Sequence, residues 1–468
     1  MTKKIYDLVV IGSGPAARRA AIQASKFGKN VLVVENDKFG GVSIHTGTIP
    51  SKTIRETVLN LTGYRERNFY KNYTNNISAK KLFKRFDITK KREVLILEDQ
   101  FLRNQVDIIK GIASFKNKNE ILIEQINSEP ILIYADKFII AVGTRCYRPN
   151  NINFDGKFIC DSDQFLKINT IPKNITIVGA GVIGIEYASI LNILGKKITI
   201  IDPRTDFLEF IDREIILSFK KILSTKGVKF KLGTKLTSIS KIKNKKIYFE
   251  LDNNEKLNTD LILFTAGRVG STEKLELKNT KIEVDNRGRI SVNKSTFQTQ
   301  QPNIYAVGDV IGFPALASTS MAQGRIAACH ACGKKIYKLN NFFPYGIYSI
   351  PEISTSGSNE EELVRKKIPY VKGIGLFKET SRGQIMGVDY GYLKLLFHKK
   401  NKKLLGVHII GEGSAELVHI GQAVLQFDGG LDYFIKNIFN FPTLAEAYKV
   451  ASLNALNQIN DISIEDLS

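Results

Sequence analysis

The sequence has few of the residues that would indicate secretion or a membrane. Only four of its 468 residues are cysteine and none is tryptophan, which excludes a disulfide framework of the kind found in small secreted domains. No apolar run approaches the roughly 20 residues that a helix needs to cross a bilayer. The N-terminal residues resemble a strand entering a turn and lack a small-residue cleavage site. The length allows about three domains of ~150 residues each, and these features together favour a large enzyme of the cytoplasm.

Acidic residues are also in short supply. There are 68 Lys and Arg against 46 Asp and Glu, a net charge of +22, and such an excess can serve to bind nucleic acid or an anionic membrane. The basic residues are scattered, as at 80–81 and 90–92, without interleaved aromatic residues or one long tract. The scatter favours compositional drift, so we expect neither a nucleic-acid nor a membrane partner. A nucleic-acid-binding protein remains the alternative from another functional class.

A glycine-rich turn near the N-terminus lies in the context of a dinucleotide-binding fold. The pattern predicts a strand over residues 6–11, a turn over 12–17, a helix over 18–27 and a strand over 31–34 that ends at Glu35. In such a unit the pyrophosphate lies at the positive N-terminus of the helix. A glycine pattern alone is weak, but strand, helix and acid in register make it specific.

Each residue type in this first unit has a physical role. Gly12 permits the tight turn, Gly14 lets the backbone approach the pyrophosphate, and Ala17 allows close packing of helix on strand. Glu35 is placed to accept hydrogen bonds from a ribose hydroxyl pair. We expect FAD at this unit.

The whole unit recurs in the middle of the chain. A strand over 175–178 leads into the turn 179–184, a helix over 185–194 and a strand over 198–201 that ends at Asp202. Gly179, Gly181 and Gly184 repeat the roles of the first turn, and the second dinucleotide is expected to be NAD(H) or NADP(H).

Two side chains of the second unit bear on the choice between NAD(H) and NADP(H). Asp202 favours NAD(H), because it can accept from the ribose 2′-hydroxyl. Arg204 could reach a 2′-phosphate, or it could be an incidental surface residue. Both interpretations stay open at this point.

The segment over residues 40–52, which reads GGVSIHTGTIPSK, resembles the active-site stretch of the flavoprotein disulfide reductases, the family of glutathione reductase and lipoamide dehydrogenase. Further similar stretches lie at 139–144, 264–268 and 304–310, and the resemblance covers essentially the whole chain. It implies an α/β fold with two dinucleotide-binding, Rossmann-like domains and an α+β C-terminal dimerisation domain.

The resemblance also implies domain bounds, an assembly and a set of ligand residues. It assigns 1–150 and 272–340 to an FAD-binding domain, 151–271 to an NAD(P)-binding domain and 341–468 to the dimerisation domain of a homodimer or larger homo-oligomer. Besides the glycines, Ala17 and Glu35 above, it places these residues at the FAD: Asn36, Gly40, Gly41, Val42, Ser43, Thr48, Lys52, Ala113, Gly143, Asp309 and Ala317. At the nicotinamide nucleotide it adds Glu186 and Gly267.

The sequence departs from the family where disulfides are handled. The family's two active-site cysteines correspond to Ser43 and Thr48, and neither hydroxyl can form a disulfide or act as a thiolate. The family's general base, a His before Pro-Thr, corresponds to Phe441, which cannot move a proton. These three replacements exclude disulfide reduction and leave the nucleotide motifs unchanged.

The residues expected to serve hydride transfer are present. Lys52 aligns with the family lysine near flavin N5 and Glu186 with its ion-pair partner; we take both as catalytic. A helix expected to begin around 316–318 would direct its positive end at the flavin. The stretch 45–52 is similar to family members that exchange hydride between nicotinamides, which implies FAD-dependent transfer between NADPH and NAD+. An NAD(P)H diaphorase or oxidase of the same fold is the alternative.

Two further motifs invite a catalytic interpretation. Cys329 and Cys332 form a CxxC pattern, but no second pair exists for a tetrahedral zinc site, so we expect spectator thiols and no metal. His45 has either a positioning role or a function beside the flavin, because hydride exchange itself requires no acid or base.

Overall fold

The computed structural model describes residues 4–70, 77–243, 245–339 and 342–460, and the strands in these ranges form five sheets. None of the helices in these ranges has the length and apolar character that crossing a membrane requires. The expected boundary between residues 340 and 341 lies outside the described residues.

A largely parallel sheet forms the core of the first unit. Its strands run in the order β3-β2-β1-β6-β5-β4. Residues such as Val9 and Val10 in β1 are fully buried because both faces of the sheet are covered. The strands are β1 (Lys4–Ile11), β2 (Val31–Glu35), β3 (Asp107–Lys110), β4 (Ile112–Asn117), β5 (Glu120–Glu124) and β6 (Ile131–Ile140). The helices are α1 (Pro15–Ser25), α2 (Gly41–His45), α3 (Thr48–Thr62) and α4 (Ala79–Arg103).

The helix predicted over 18–27 was misplaced by about one turn, since α1 begins at Pro15 and ends at Ser25. Proline lacks an N–H and has a preset φ, and the first helical position requires neither a free N–H nor a different φ. Pro15 therefore starts the helix immediately after the glycine turn.

The second unit has its own parallel sheet, in the order β11-β10-β9-β15-β8. Its strands and those around it are β7 (Thr144–Cys146), β8 (Ile159–Asp161), β9 (Asn174–Val178), β10 (Lys197–Asp202), β11 (Lys229–Leu232), β12 (Leu236–Lys243), β13 (Lys246–Leu251), β14 (Lys256–Thr259), β15 (Leu261–Phe264) and β16 (Arg268–Gly270). The helices are α5 (Ser162–Phe165), α6 (Val182–Ile193) and α7 (Arg213–Thr225). Strands β7 and β16 pair antiparallel where the chain passes between the two units.

The chain then returns to the first sheet. Strand β17 (Ile304–Ala306) pairs in parallel with β6, and helix α8 (Ala317–Ala331) follows it and packs on α1. Helix α8 begins within the predicted range of 316–318.

The C-terminal unit is an antiparallel sheet with helices, in the order β18-β19-β22-β21-β20. Its strands are β18 (Tyr345–Ile347), β19 (Ile353–Gly357), β20 (Tyr370–Leu376), β21 (Tyr392–His398) and β22 (Leu404–Ile410). Its helices are α9 (Glu360–Arg365), α10 (Ser381–Ile385), α11 (Ser414–Gln426), α12 (Leu431–Lys436) and α13 (Glu446–Asn460).

Candidate functional site

The first glycine turn leaves open space in front of a helix N-terminus. Gly12 has φ +107°, and a Cβ there would lie 2.4 Å from the Ala141 carbonyl oxygen, so that only glycine fits. Gly14 precedes α1 with φ −65°, and the position of its missing Cβ has no neighbour within 4 Å. Ala17, in the first turn of α1, is fully buried. An open glycine before a helix with no acid in its first turn fits a pyrophosphate.

A hydrogen-bond relay through Ser13 ties the end of β2 to the glycines at 40–41. Ser13 Oγ donates to Glu35 Oε2 (2.6 Å) and accepts from the Gly40 N–H (2.9 Å). Glu35 Oε1 accepts from the Asp37 N–H at 2.9 Å. Glu35 thus fixes this loop, a role that the sequence did not suggest, while its neighbour Asn36 is exposed.

The remaining expected flavin residues come from separate elements. Asp309 follows β17; burial raises its pKa, and Arg268 and Ser320 oppose the shift. A half-buried carboxyl of this kind fits a polyol that donates hydroxyl hydrogen bonds, as a ribityl chain does.

Three expected flavin residues without polar side chains differ in what they offer a ligand. Gly143 has open space at its Cβ position, and Ala317 begins α8. The side chain of Ala113 packs in the hydrophobic core, so this residue offers a ligand only its backbone.

The segment that corresponds to the family's thiol positions forms the short helix α2 and the first turn of α3. Val42 and the half-buried Ser43 lie in α2, and the exposed Thr48 is the first residue of α3. His45 Nε2–H donates to the Phe39 carbonyl at 2.8 Å, and burial lowers the pKa of this imidazole. This contact supports the positioning interpretation of His45.

An ion pair joins the first unit to the second. Lys52 Nζ in α3 lies 2.8 Å from each carboxylate oxygen of Glu186 in α6. The Tyr348 N–H donates to Glu186 Oε1 at 2.9 Å, and Lys52 lies over the Tyr348 ring at 4.8 Å. The side chain of Glu186 is only 4% exposed, so Lys52 compensates a buried charge. Nothing in the sequence pattern indicated the contribution of Tyr348.

The second glycine turn repeats the geometry of the first. Gly179 has φ +110°, and its missing Cβ would meet the Thr265 carbonyl oxygen at 2.7 Å. A Cβ at Gly184 would lie 2.0 Å from the Gly179 oxygen, whereas Gly181 has no neighbour within 4 Å. The space again fits a pyrophosphate before α6. Gly267, with φ +109° and no neighbour at its Cβ position, lies between β15 and β16.

Asp202 and Arg204 were expected as alternative ligands, and the structure brings them together. Arg204 donates to Asp202 Oδ1 from Nε (2.9 Å) and to Oδ2 from Nη2 (2.8 Å). The Ala180 N–H in the glycine turn also donates to Oδ2, at 2.7 Å. Burial opposes ionisation of Asp202, but these hydrogen bonds outweigh it and lower its pKa. A nucleotide that uses either side chain must therefore compete with this pair.

The segment after Phe441 borders a cavity of about 640 Å³. Pro442 and Thr443 line it together with Lys52, whereas Phe441 is 71% exposed and absent from the lining. Glu446 Oε2 is buried without a hydrogen-bond partner among the described residues.

The two cysteines of the CxxC pattern do not form a disulfide with each other. Cys329 is buried in α8 and Cys332 follows its last turn, both thiols are free, and burial raises the pKa of each. His330 between them is engaged through Nδ1 with the Tyr305 hydroxyl at 2.8 Å.

Comparisons with known proteins agree with this architecture. Residues 6–324 match the family described as pyridine nucleotide-disulphide oxidoreductase, and residues 343–452 match its dimerisation domain. The chain is 43% identical to a soluble pyridine nucleotide transhydrogenase of Mycobacterium bovis, with 98% of each chain covered. It is 40% identical to the protein of that name from Marinomonas, covering 98% of this chain and all of the relative.

Solved structures of low sequence identity share the fold. The flavoprotein disulfide reductase RclA of Escherichia coli superposes with a TM-score of 0.86 at 24% identity, covering 96% of this chain and 99% of RclA. LpdA of Mycobacterium tuberculosis gives a TM-score of 0.88 at 20% identity, covering 97% and 99%.

Proposed function

Because this chain belongs to the pyridine nucleotide-disulphide oxidoreductase family, we propose that it is a transhydrogenase that moves hydride between NADPH and NAD+ through a bound FAD. The name shared by its curated relatives supports this activity. The observation that carries the proposal is a contrast within one segment. Ser43 and Thr48 stand where the family has thiols, whereas Lys52 keeps its ion pair with Glu186.

The proposal assigns the two dinucleotides to the two glycine turns. FAD occupies the unit of residues 1–150 and 272–340, with its pyrophosphate before α1. The nicotinamide nucleotide occupies residues 151–271, with its pyrophosphate before α6, and residues 341–468 form the homodimer. The open glycines at both helix starts support this assignment.

The flavin, when bound, supplies the two-electron chemistry of hydride transfer. The chain's own residues bind and orient the two nucleotides. Lys52 places a positive charge at the flavin, and Glu186 with the Tyr348 N–H holds that ammonium in place. An acid–base residue is not required, which agrees with the exposed Phe441 at the position of the family's base.

The activity is tested by stopped-flow absorbance on the FAD-loaded protein. NADPH should reduce the flavin. The thio analogue of NAD+ should then reoxidise it at a rate at least as fast as steady-state turnover. Oxidised glutathione and lipoamide should not reoxidise it, because Ser43 and Thr48 stand where the family has its thiol pair. Reoxidation by quinones or oxygen but not by thio-NAD+ would replace the proposal with a diaphorase or oxidase.

A further inference from the structure

Three aromatic side chains from distant parts of the chain form one cluster. Phe210 follows β10, Phe313 lies between β17 and α8, and Tyr345 begins β18. The ring centroids of Phe210 and Tyr345 are 4.5 Å apart. Those of Phe313 and Tyr345 are 6.5 Å apart with planes only 8° from parallel. We call these three residues the aromatic wall.

The aromatic wall lies where the proposed flavin and nicotinamide residues converge. Burial, with the nearby charges of Glu186 and Asp309, raises the pKa of Tyr345 to about 12. Tyr345 lies three residues before Tyr348, and Phe313 lies between the expected flavin residues Asp309 and Ala317. The same segment of chain supplies the Tyr348 N–H that binds Glu186 at 2.9 Å. The wall is thus continuous with the ion-pair site.

The outer rings of the wall are exposed. Phe313 is 68% exposed and Phe210 is 39% exposed. Exposed aromatic rings at the margin of a ligand site mark a surface that a ligand covers. A planar ligand with a positive charge suits such a surface best, because the faces of aromatic rings are electron-rich.

We propose that the aromatic wall holds the nicotinamide ring and binds its cationic, oxidised form more tightly than its neutral, reduced form. The inference rests on the proposed transhydrogenase function and names the residues that select the redox state of its substrate. The oxidised ring carries a delocalised positive charge and gains cation–π attraction from the aromatic rings. The reduced ring is neutral and keeps only the apolar contact.

This selectivity would serve a cycle in which donor and acceptor use one site in turn. After the donor has reduced the flavin, the acceptor must bind in its oxidised form in competition with unreacted donor. Extra affinity for the cationic ring favours the acceptor over reduced donor in this second half-reaction.

The test measures binding, not turnover, on the FAD-loaded protein by isothermal titration calorimetry. The probes are NAD+, the redox-inert tetrahydro analogue of NADH, which has a neutral ring, and ADP-ribose, which has no nicotinamide. The variants are Phe313→Leu, Tyr345→Leu and Tyr345→Phe. Phe427→Leu is the matched control, because that ring is 84% exposed and lies outside the wall.

Phe313→Leu and Tyr345→Leu should weaken NAD+ binding by about three- to tenfold. The affinity for the tetrahydro analogue should change by less than about twofold, because its neutral ring makes only the apolar contact. Tyr345→Phe and Phe427→Leu should bind all three probes as wild type does. ADP-ribose should bind to every variant as it binds to wild type. If Tyr345→Leu also loses affinity for ADP-ribose, this substitution has disturbed the whole site. The test then rests on Phe313→Leu, because Phe313 is exposed.

Equal weakening of NAD+ and of the tetrahydro analogue, or no change for either, would overturn the inference. The proposed function fails by a different result: wild-type protein that thio-NAD+ does not reoxidise. The two failures are therefore separable, since selective binding is measured without any transfer.

Discussion

At the scale of single residues, two ion pairs determine what the predicted site residues can do. Lys52 and Glu186 have each other, 134 residues apart in sequence. Asp202 and Arg204 also have each other, two residues apart. The first contact fits the role that the sequence suggested, whereas the second changes it, because neither side chain of that pair is free before a nucleotide arrives.

The contact between Lys52 and Glu186 leads to a prediction about coupling. Lys52→Met should slow reduction of the flavin by NADPH and lower the flavin potential, because the electron-rich reduced flavin loses its nearby cation. Glu186→Gln should leave the potential unchanged or raise it, since Lys52 is then uncompensated. Stopped-flow rates and redox titration measure both effects, and FAD content should stay at the wild-type level. The double variant should be less impaired than the sum of the single variants; strict additivity would mean that the contact does not matter for transfer.

The pairing of Asp202 with Arg204 gives a prediction about nucleotide preference. Arg204→Ala should weaken NADPH binding by about ten- to a hundredfold, the value of one charge-assisted hydrogen bond. NADH binding should be unchanged or stronger, because the Asp202 carboxylate is freed for the ribose. Asp202→Asn is a better partner variant than Asp202→Ala, since its amide oxygen can still accept from the Ala180 N–H. Equal effects of Arg204→Ala on both nucleotides in a fluorescence titration would assign the phosphate to another residue.

At the scale of elements, the sequence predicted the parts that rest on local rules. The strand ends at Glu35 and Asp202, the start of α8 and the glycine turns agree with β2, β10, α8 and the observed geometry. These features depend on neighbouring residues, so their signal is local. The starts of α1 and α6, predicted at 18 and 185, were each placed three residues too late, although Pro15 signals the first. Tyr348 and the aromatic wall could not be predicted, because their positions depend on packing between elements that are far apart in sequence.

The second glycine turn offers a matched pair of substitutions at the element scale. Gly184→Ala places a Cβ 2.0 Å from the Gly179 oxygen, which must push α6 away from β9. Its cost should resemble that of an overpacked core, about 1–3 kcal/mol in the free energy of unfolding. Gly181→Ala has an ordinary φ of −75° and no neighbour within 4 Å, so the fold should tolerate it. The new methyl would instead occupy the space proposed for the pyrophosphate.

Urea denaturation and nucleotide titration separate the two glycine variants. Gly181→Ala should keep wild-type stability and lose nicotinamide-nucleotide affinity, while FAD content stays normal. Gly184→Ala should instead lower the free energy of unfolding. Normal nucleotide affinity in Gly181→Ala would show that the phosphates do not approach this turn.

At the scale of the whole molecule, one buried lysine joins the second unit to the C-terminal unit. The side chain of Lys394 is fully buried, and its Nζ lies 2.8 Å from Asp212 Oδ1 and 2.8 Å from Glu214 Oε2, and it also contacts Glu360. Among the described residues these three acids are the ones placed close enough to share a metal ion. The ammonium already lies among them, so the cluster is an ion-pair network. Its members lie 34 to 182 residues from Lys394, and no local pattern indicates it.

The Lys394 cluster predicts that a variant without Lys394 and the wild type respond in opposite ways to a fall in pH. Burial opposes ionisation of Asp212, Glu214 and Glu360, yet nearby cations, Lys394 among them, lower the pKa of each. The stabilisation from these depressed pKa values is complete above the ordinary values of 3.8 and 4.5 and is lost as the pH falls through the folded values. Lys394→Met removes the ion-pair partner of the buried Asp212, whereas Lys372 still pairs with Glu214 and Glu360, and the change should cost about 3–5 kcal/mol near neutral pH.

In that variant the pKa values of the acids should rise, so protonation should restore part of the loss as the pH falls toward about 5. Wild-type protein should show no such gain over the same range. Thermal unfolding of both proteins across this range measures the difference, with the exposed Lys436→Met as a control that should follow wild type. If Lys394→Met does not accumulate as folded protein, Glu360→Gln removes one acid while keeping the lysine and should flatten the acid sensitivity. Parallel pH curves for Lys394→Met and wild type would show that this ion-pair network does not hold the two units together.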